Sequence, residues 1–504
     1  MTHTVDHLRQ QAKKLRHRFE MGDPEALQRV GRFIKPQEAP LKHADYLHVI
    51  ANESGFDSWP KLKFAREQAA MDFAQKAARL EQALYHGQFW VIDALLSESP
   101  DLGHANLGLA CALYDLESVR QHLSKDPEAA VRRINGRTPL LHLTFSKAFK
   151  RQNKAAEMLG IAEMLKDHGA DLNDCYAYGG DNSSSLSALY GALGHADNIV
   201  LARWLLENGA SPDDNESLYH ATELGHLEGL RLMLAHGATI AGTNALARML
   251  DFDNIEGVQL LLEAGADPNE GAQPHPSGEP SYAISALHHA ARRRSSPEIA
   301  RLLLRHGAEG RTLQFGHSAY ALAMMYGNNA FAHVLAEAGQ STDMSASEAL
   351  IAGAATEGSQ GKVDAITLTN EQRRMLCRIV GFDDPLSHVM RLVGIGLDPN
   401  VREEMGMPAI QVAGWEGQAA VVEYLLTLSP DLTLKNNYGG DLLGTIMHGA
   451  GHCPKAPVRD HILCAELALE AGVPLHRGDI EHCADAEMRA WLQQWASAHA
   501  DRVI

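Results

Sequence analysis

Cysteine is scarce, with six residues in 504: Cys111, Cys175, Cys377, Cys453, Cys464 and Cys483. So few cannot build a disulfide framework for a chain this long, and the pattern predicts reduced thiols in a cytoplasmic setting. Long apolar runs are missing too, since no stretch reaches the roughly 18 residues that a membrane span requires. The opening segment MTHTVDHLRQQAKKLRHRFE is charged and amphipathic, with no apolar signal core. Aromatic content is low at 6%, and the helix formers Ala and Leu dominate instead. Basic residues are outnumbered, 45 against 63 acidic, for a net charge of −18. A surface that acidic repels nucleic-acid phosphates and anionic lipid heads alike, which excludes both as expected partners. It favours a protein partner with a basic surface, or a small molecule. Short basic runs such as Lys13, Lys14, Arg16 and Arg18 read as solvated helix faces.

One phrase recurs along the chain. An apolar helix ends in Leu-Leu or a close variant, followed by a charged residue or two, Gly-Ala and a polar turn: MLKDHGADLN (164–173), LLENGASPDD (205–214), MLAHGATIAG (233–242), LLEAGADPNE (261–270) and LLRHGAEG (303–310). Gly209, Gly237 and Gly265 stand 28 residues apart. Each follows apolar residues at i, i+3, i+4 spacing, which gives a helix one apolar stripe. Glycine then supplies the left-handed residue that stops the helix. A second, shorter helix is predicted upstream of each: 138–145, 187–195, 216–226, 285–293, 318–327 and 407–417. Ser or Thr stands at the capping position in most of them. Helix pairs with one apolar side must stack on copies of themselves, which makes a solenoid with a concave groove.

Thr138-Pro139-Leu140, Ser285-Ala286-Leu287-His288-His289-Ala290-Ala291, Gly225-His226 and Gly265-Ala266-Asp267-Pro268-Asn269 resemble the signature of the ankyrin-repeat family. The resemblance runs over roughly residues 78 to 480. More narrowly, the chain is similar to large bacterial ankyrin-repeat proteins in which degenerate leading repeats precede regular ones. The family implies an all-α solenoid of stacked helix pairs, with loops projecting toward a groove, and members usually bind other proteins. The middle repeats are roughly five residues shorter than the usual 33, so the projecting loops between Gly209 and Gly265 should be trimmed. The expected organisation is a helical leader or cap module (1–75), an N-terminal repeat block (76–355) and a C-terminal block with capping helices (356–504). Pro/Gly-rich insertions at 270–284 and 354–370 interrupt the array, the second marking the break between blocks.

Twenty-seven histidines invite a metal or catalytic reading. His195, His226 and His288, however, occupy slots where the family hydrogen-bonds neighbouring backbone, and His236 and His306 precede helix-stopping glycines. His142, His220 and His289 share a slot on nonadjacent repeats, so they cannot converge on one ion. The densest unusual polar cluster is DDNESLYHATE, residues 213–223. On a helix, Tyr219, His220 and Glu223 share one face, and the next repeat adds Arg248, Asp251 and Asp253. Three readings stay open: a solvated or internally bonded patch, a partner-binding surface, or an acid/base site in a closed pocket around His220 and Glu223. No nucleophile, phosphate loop or metal spacing accompanies the cluster. The expected function is therefore a non-enzymatic scaffold or regulator, with no cofactor and no metal. Its partner-binding residues are Tyr190, Asp214, Glu216, Tyr219, His220, Glu223, Arg248, Asp251 and Asp253. Near the C-terminus, His448, His452, Cys453, His461, Cys464, His476, His482 and Cys483 suit zinc chemically, but HILCAELALEAG also reads as a repeat helix that uses Cys464 as a small apolar residue.

Overall fold

The N-terminal residues form a helical module with a core of its own. In the computed structural model, which describes residues 4–35, 41, 43–151, 153–178, 184–271, 284–356, 358 and 361–504, it comprises α1 (Val5–Glu20), α2 (Pro24–Phe33), α3 (His43–Glu53) and α4 (Trp59–Gln68). The Thr4 and Asp23 side chains accept the amides of His7 and Ala26 and so cap the first two helices. Leu8, Ala12 and Leu15 recur at helical spacing and are buried with Tyr46, Val49 and Ile50. Phe64 of α4 meets Trp90 edge to face at 5.4 Å between ring centroids. The module thus abuts the next two helices, α5 (Phe73–His86) and α6 (Phe89–Glu98).

The described chain separates into two compact units. One runs to Met249 and includes Glu256–Ala266; the other takes Leu250–Ile255 and residues 267–271 and 284–504. After α6, the first unit continues as helix pairs: α7 (Leu107–Ala112) with α8 (Leu116–Lys125), and α9 (Pro139–Thr144) with α10 (Ala155–Asp167). Next come α11 (Ala188–Tyr190), prolonged by a π turn over Gly191–His195, with α12 (Ile199–Glu207), and α13 (Ser217–Ala221) with α14 (Glu228–Ala235). First helices stack on first helices, α7 on α9, α9 on α11 and α11 on α13, and second helices do likewise from α8 to α14. Leucines at i, i+3, i+4 spacing fill the space between rows: Leu201, Leu205, Leu230 and Met233 are fully buried. As the repeated phrase predicts, glycine ends the second helices in the left-handed conformation, for example Gly209 at φ +105° and Gly265 at φ +99°. One element departs from an all-α reading. The loop before α11 contains a short antiparallel pair, β1 (Cys175–Tyr178) and β2 (Ser184–Ser187).

Helices α15 (Ala245–Asp251) and α16 (Ile255–Glu263) follow. The second unit stacks α17 (Ala286–Arg293), α19 (Ala319–Met325) and α21 (Ala346–Thr356) in one row, with α18 (Pro297–Arg305) against α20 (Asn329–Glu337) in the other. The short α22 (Asn370–Arg373) leads into α23 (Met375–Ile379), α24 (Leu386–Gly394), α25 (Ala409–Trp415), α26 (Ala419–Leu426), α27 (Leu442–His452) and α28 (His461–Glu470). The chain closes with α29 (Arg477–His482) and α30 (Ala486–Ala498). The 354–370 insertion lies inside this unit, between α21 and α22, while most of the 270–284 insertion lies outside the described residues.

Close approach of first helices is tightest between α25 and α27, where a Cβ on Gly449 would sit 2.3 Å from the Trp415 carbonyl oxygen. Backbone cannot move aside as a flexible side chain can. Gly449→Ala is therefore expected to force the two helices apart and lower stability by about 1–3 kcal/mol, read as a leftward shift of the urea unfolding midpoint. An unchanged midpoint would show that the pair does not pack this closely.

Candidate partner-binding site

The polar cluster predicted around His220 is assembled on α13. Asp214 fixes the start of that short helix: Oδ1 accepts the amides of Glu216 (3.1 Å) and Ser217 (2.8 Å), and Oδ2 accepts the hydroxyls of Ser217 (2.6 Å) and Ser187. His220 then sits between two carboxylates, Nε2 at 3.1 Å from Glu216 Oε2 and Nδ1 at 2.7 Å from Glu223 Oε2. Glu216 is buried and Glu223 partly exposed, and Arg248 donates from Nη2 (2.8 Å) and Nε (3.0 Å) to the other Glu223 oxygen. Two rings flank the imidazole edge to face, Tyr190 at 4.9 Å and Tyr219 at 5.2 Å, and the Arg248 guanidinium lies 5.9 Å from the Tyr219 centroid. Gly194 permits this approach, since a Cβ there would stand 2.9 Å from the His220 Cβ and 2.8 Å from the Tyr190 ring.

Electrostatics follow from that geometry. Burial disfavours the charged imidazole, but hydrogen bonds and charge from Glu216 and Glu223 outweigh it and push the His220 pKa up to about 9. Burial alone would raise the Glu223 carboxyl; His220 and Arg248 reverse this and lower it. With both ring nitrogens engaged, the imidazole is held as a cation between anions.

Seven of the nine residues predicted for the site therefore belong to one bonded cluster in the first unit: Tyr190, Asp214, Glu216, Tyr219, His220, Glu223 and Arg248. Asp251 and Asp253 belong to the second unit. Asp251 Oδ1 accepts from His289 Nε2 and Arg293 Nε, both at 2.8 Å, and Asp253 Oδ1 accepts the Ser296 amide at 2.8 Å. His142, His220 and His289, which share a slot, each have their own carboxylate: Glu81 at 3.5 Å for His142, and those just given for the others. The backbone roles implied for the repeat histidines appear at His288 (Nε2 to Thr312 O, 2.7 Å) and His195 (Nε2 to Tyr85 O, 2.8 Å). His226 does the same, its Nδ1 accepting the Glu228 amide at 3.3 Å, and its Nε2 also pairs with Asp197 Oδ1 at 2.9 Å.

At the C-terminal His/Cys constellation, His461 Nε2 bonds the Trp415 carbonyl at 2.8 Å. Cys464 is fully buried, its thiol pushed up to about 12 by that burial. The His448 and His452 rings lie 4.4 Å apart, tilted by 49°, and the His482 side chain lies outside the described residues. Among the described residues no group of three or more His, Cys, Asp or Glu is arranged to hold a metal ion.

Sequence reasoning missed two polar assemblies. In the second unit, buried Glu371 accepts from the Tyr326 hydroxyl at 2.6 Å and from Arg378, with Arg292 Nη1 at 3.7 Å. Burial would raise the Glu371 carboxyl, yet the Arg378 and Arg292 charges hold it below the usual range. In the first unit, α5 extends beyond its own pair. Glu81, only 7% exposed, accepts from Asn135 Nδ2 (2.8 Å) and Arg137 Nη2 (3.0 Å) in the turn before α9. Tyr85 stacks on Phe145 at 5.7 Å and lies 4.1 Å from the His195 ring, so the C-terminal end of α5 crosses the row of first helices. An open cleft of about 760 Å³ remains between α5, residues 133–137 and β1. The one signal for this in the sequence is a carboxylate, Glu81, set among Leu80, Ala83 and Leu84 on an otherwise apolar face.

Paired helices of this length, stacked in two rows and stopped by left-handed glycines, have a counterpart in the family model described as ankyrin repeats (3 copies), which matches residues 246–346. Residues 246–346 carry ankyrin repeats. Among solved structures it is similar to the human ASB11 ankyrin-repeat domain (21% identity over 47% of this chain and 99% of that one, TM-score 0.34). It is also similar to an ankyrin-repeat domain from Acinetobacter baumannii AYE (22% identity, 40% and 97% coverage, TM-score 0.31). The ankyrin-repeat domain of Bcl-3, described as a unique member of the IkappaB family, matches at 21% identity, 46% and 93% coverage and TM-score 0.20. No curated protein sequence matches the chain.

Two measurements check these assemblies. The His220 pKa is raised from 6.5 to about 9 on folding, so its stabilising contribution is complete below pH 6.5 and disappears as pH rises through about 9. The stability gap between wild type and His220→Gln should therefore narrow from pH 6 to pH 10, and a gap that widens would contradict the double carboxylate contact. Glu371→Ala leaves Arg378 and Arg292 without their buried anion, and is expected to lower the unfolding free energy by about 3–5 kcal/mol in denaturant titrations.

Proposed function

We propose that this chain is a non-enzymatic, cytoplasmic scaffold or regulator that binds a protein partner through the first-helix face around α13. The observation that carries the reading is the half-exposed pair Tyr219 and Arg248, held over the His220 cluster. Tyrosine and arginine are the side chains most often found at the energetic centres of protein interfaces, above all where they are pre-ordered. Here Glu223 orders the guanidinium and Ser187, through Asp214, orders the helix, so little rotamer freedom is left to lose on binding. The chain's net charge of −18 favours a partner with a basic surface. Ankyrin repeats supply such surfaces without chemistry, and the narrower likeness to large bacterial members is part of the same proposal. The leader serves as the N-terminal cap, a role supported by the Phe64 contact with Trp90. Acid/base catalysis at His220 is disfavoured because an imidazole with a pKa of about 9 and both nitrogens bonded offers no free base at neutral pH.

Proximity labelling in the native cell, run in parallel on wild type and a Tyr219→Ala, Arg248→Ala double variant, tests this. Proteins labelled by wild type should be lost from the double variant. They should persist with Tyr438→Ala, a substitution of a 78% exposed ring in the second unit. An identical set of labelled proteins in all three would remove α13 from the interface.

A further inference from the structure

The cleft beside α5 has features that the α13 patch does not. Its volume, about 760 Å³, is within the range of roughly 300–1,000 Å³ typical of ligand clefts. One wall is strand β1. The Ala188 amide donates to the Asp174 carbonyl at 2.9 Å, which continues a register in which Cys175 faces Ser187 and Ala177 faces Ser185. Bonded and non-bonded pairs alternate along an antiparallel ladder. Cys175 and Ala177 accordingly turn their N–H and C=O groups away from β2. Those of Cys175 are taken by Asp174 Oδ1 (2.8 Å) and Arg133 Nη2 (2.9 Å). Ala177 is exposed and lines the cleft, which leaves an open strand edge there.

The opposite wall is the turn before α9. Gly136, at φ +87°, has nothing within 4 Å of where a Cβ would stand, so backbone can approach closely. Arg137 donates one bond from Nη2 to Glu81, and its guanidinium lies over the rings of Tyr85 (5.0 Å) and Tyr176 (5.9 Å). Its Nη1 makes no hydrogen bond among the described residues. Of the two arginines in the lining, Arg133 is already paired with Asp174 Oδ1 at 2.7 Å and bonded to the Gly136 and Cys175 carbonyls, so the cation available to a ligand is Arg137. Arg137 thus presents a guanidinium with a donor to spare to a free strand edge.

We infer that this cleft binds an extended acidic peptide segment of another protein, which adds to the edge of β1 at Ala177 and sets a carboxylate against Arg137. Main-chain hydrogen bonds at the edge give the affinity, and the guanidinium, braced by two tyrosines, selects charge. The site uses no residue of the α13 patch, so either can fail alone.

The probe is a phage-displayed library of random dodecapeptides, panned on the full chain; the most enriched sequence is then synthesised with a fluorophore and followed by anisotropy. Enrichment of Asp and Glu is expected, with binding weakened at least tenfold by Ala177→Pro, which removes the outward N–H without breaking a bond to β2, and by Arg137→Lys, which keeps the charge and loses the planar fork. Tyr219→Ala should leave the affinity unchanged. Should either cleft variant melt early, the wild-type protein decides through hydrogen exchange, in which bound peptide should slow exchange at the Ala177 amide. Enrichment without acidic residues, affinity indifferent to both cleft variants, or an Ala177 amide that exchanges as before overturns the inference.

Discussion

A short helix with one apolar side has nowhere to put it except against another copy of itself, and every other feature of this chain is arranged around that need. The rows of first and second helices meet this need through small and branched side chains, with glycine where two backbones come closest. At Gly449 there is no room for even a methyl group, because the Trp415 carbonyl already fills the space. Gly194 does the same beside the polar cluster: it brings the π turn of one helix pair onto His220 of the next.

Polar groups on the first helices follow a second rule. A histidine that stacking has buried must find a partner, and this chain supplies carboxylates repeatedly: Glu81 for His142, Glu216 and Glu223 for His220, Asp251 for His289, Glu348 for His317. The pairings differ in outcome. His220 is held well above neutrality as a cation, whereas His288, bonded to a hydroxyl and a carbonyl, is driven by burial to about 4 and stays neutral. A single anion is not enough to reverse burial, since His142 beside Glu81 and His289 beside Asp251 are both lowered, and only His220, between two carboxylates, is raised.

The helix pairs were legible in the sequence because their signals are local. Apolar spacing, a capping Ser or Thr and a terminating glycine lie within one repeat, and the predicted first helices at 138–145, 187–195 and 285–293 coincide with observed ones. The His220 cluster was legible for the same reason, since Glu216, Tyr219 and Glu223 are within a turn of it. Arg248 was found because it occupies the equivalent place one repeat on. What escaped notice depends on distant contacts: Glu371 with Arg292, Tyr326 and Arg378, and the reach of α5 over the later first helices. No periodicity encodes those. A lone acid on an apolar helix face was the trace that α5 left in its own composition.

A linear array whose members touch only their neighbours can fray from either end, one member at a time. The bond from His195 to the Tyr85 carbonyl joins positions 110 residues apart, and the Glu81 contacts with Asn135 and Arg137 add shorter ties across 54 and 56 residues. Helix α5 therefore acts as a clasp over the members between. Peeling away the early ones exposes the later ones as well, which makes the start of the chain melt as a block and slows its assembly, because the clasp closes only once the intervening members have formed.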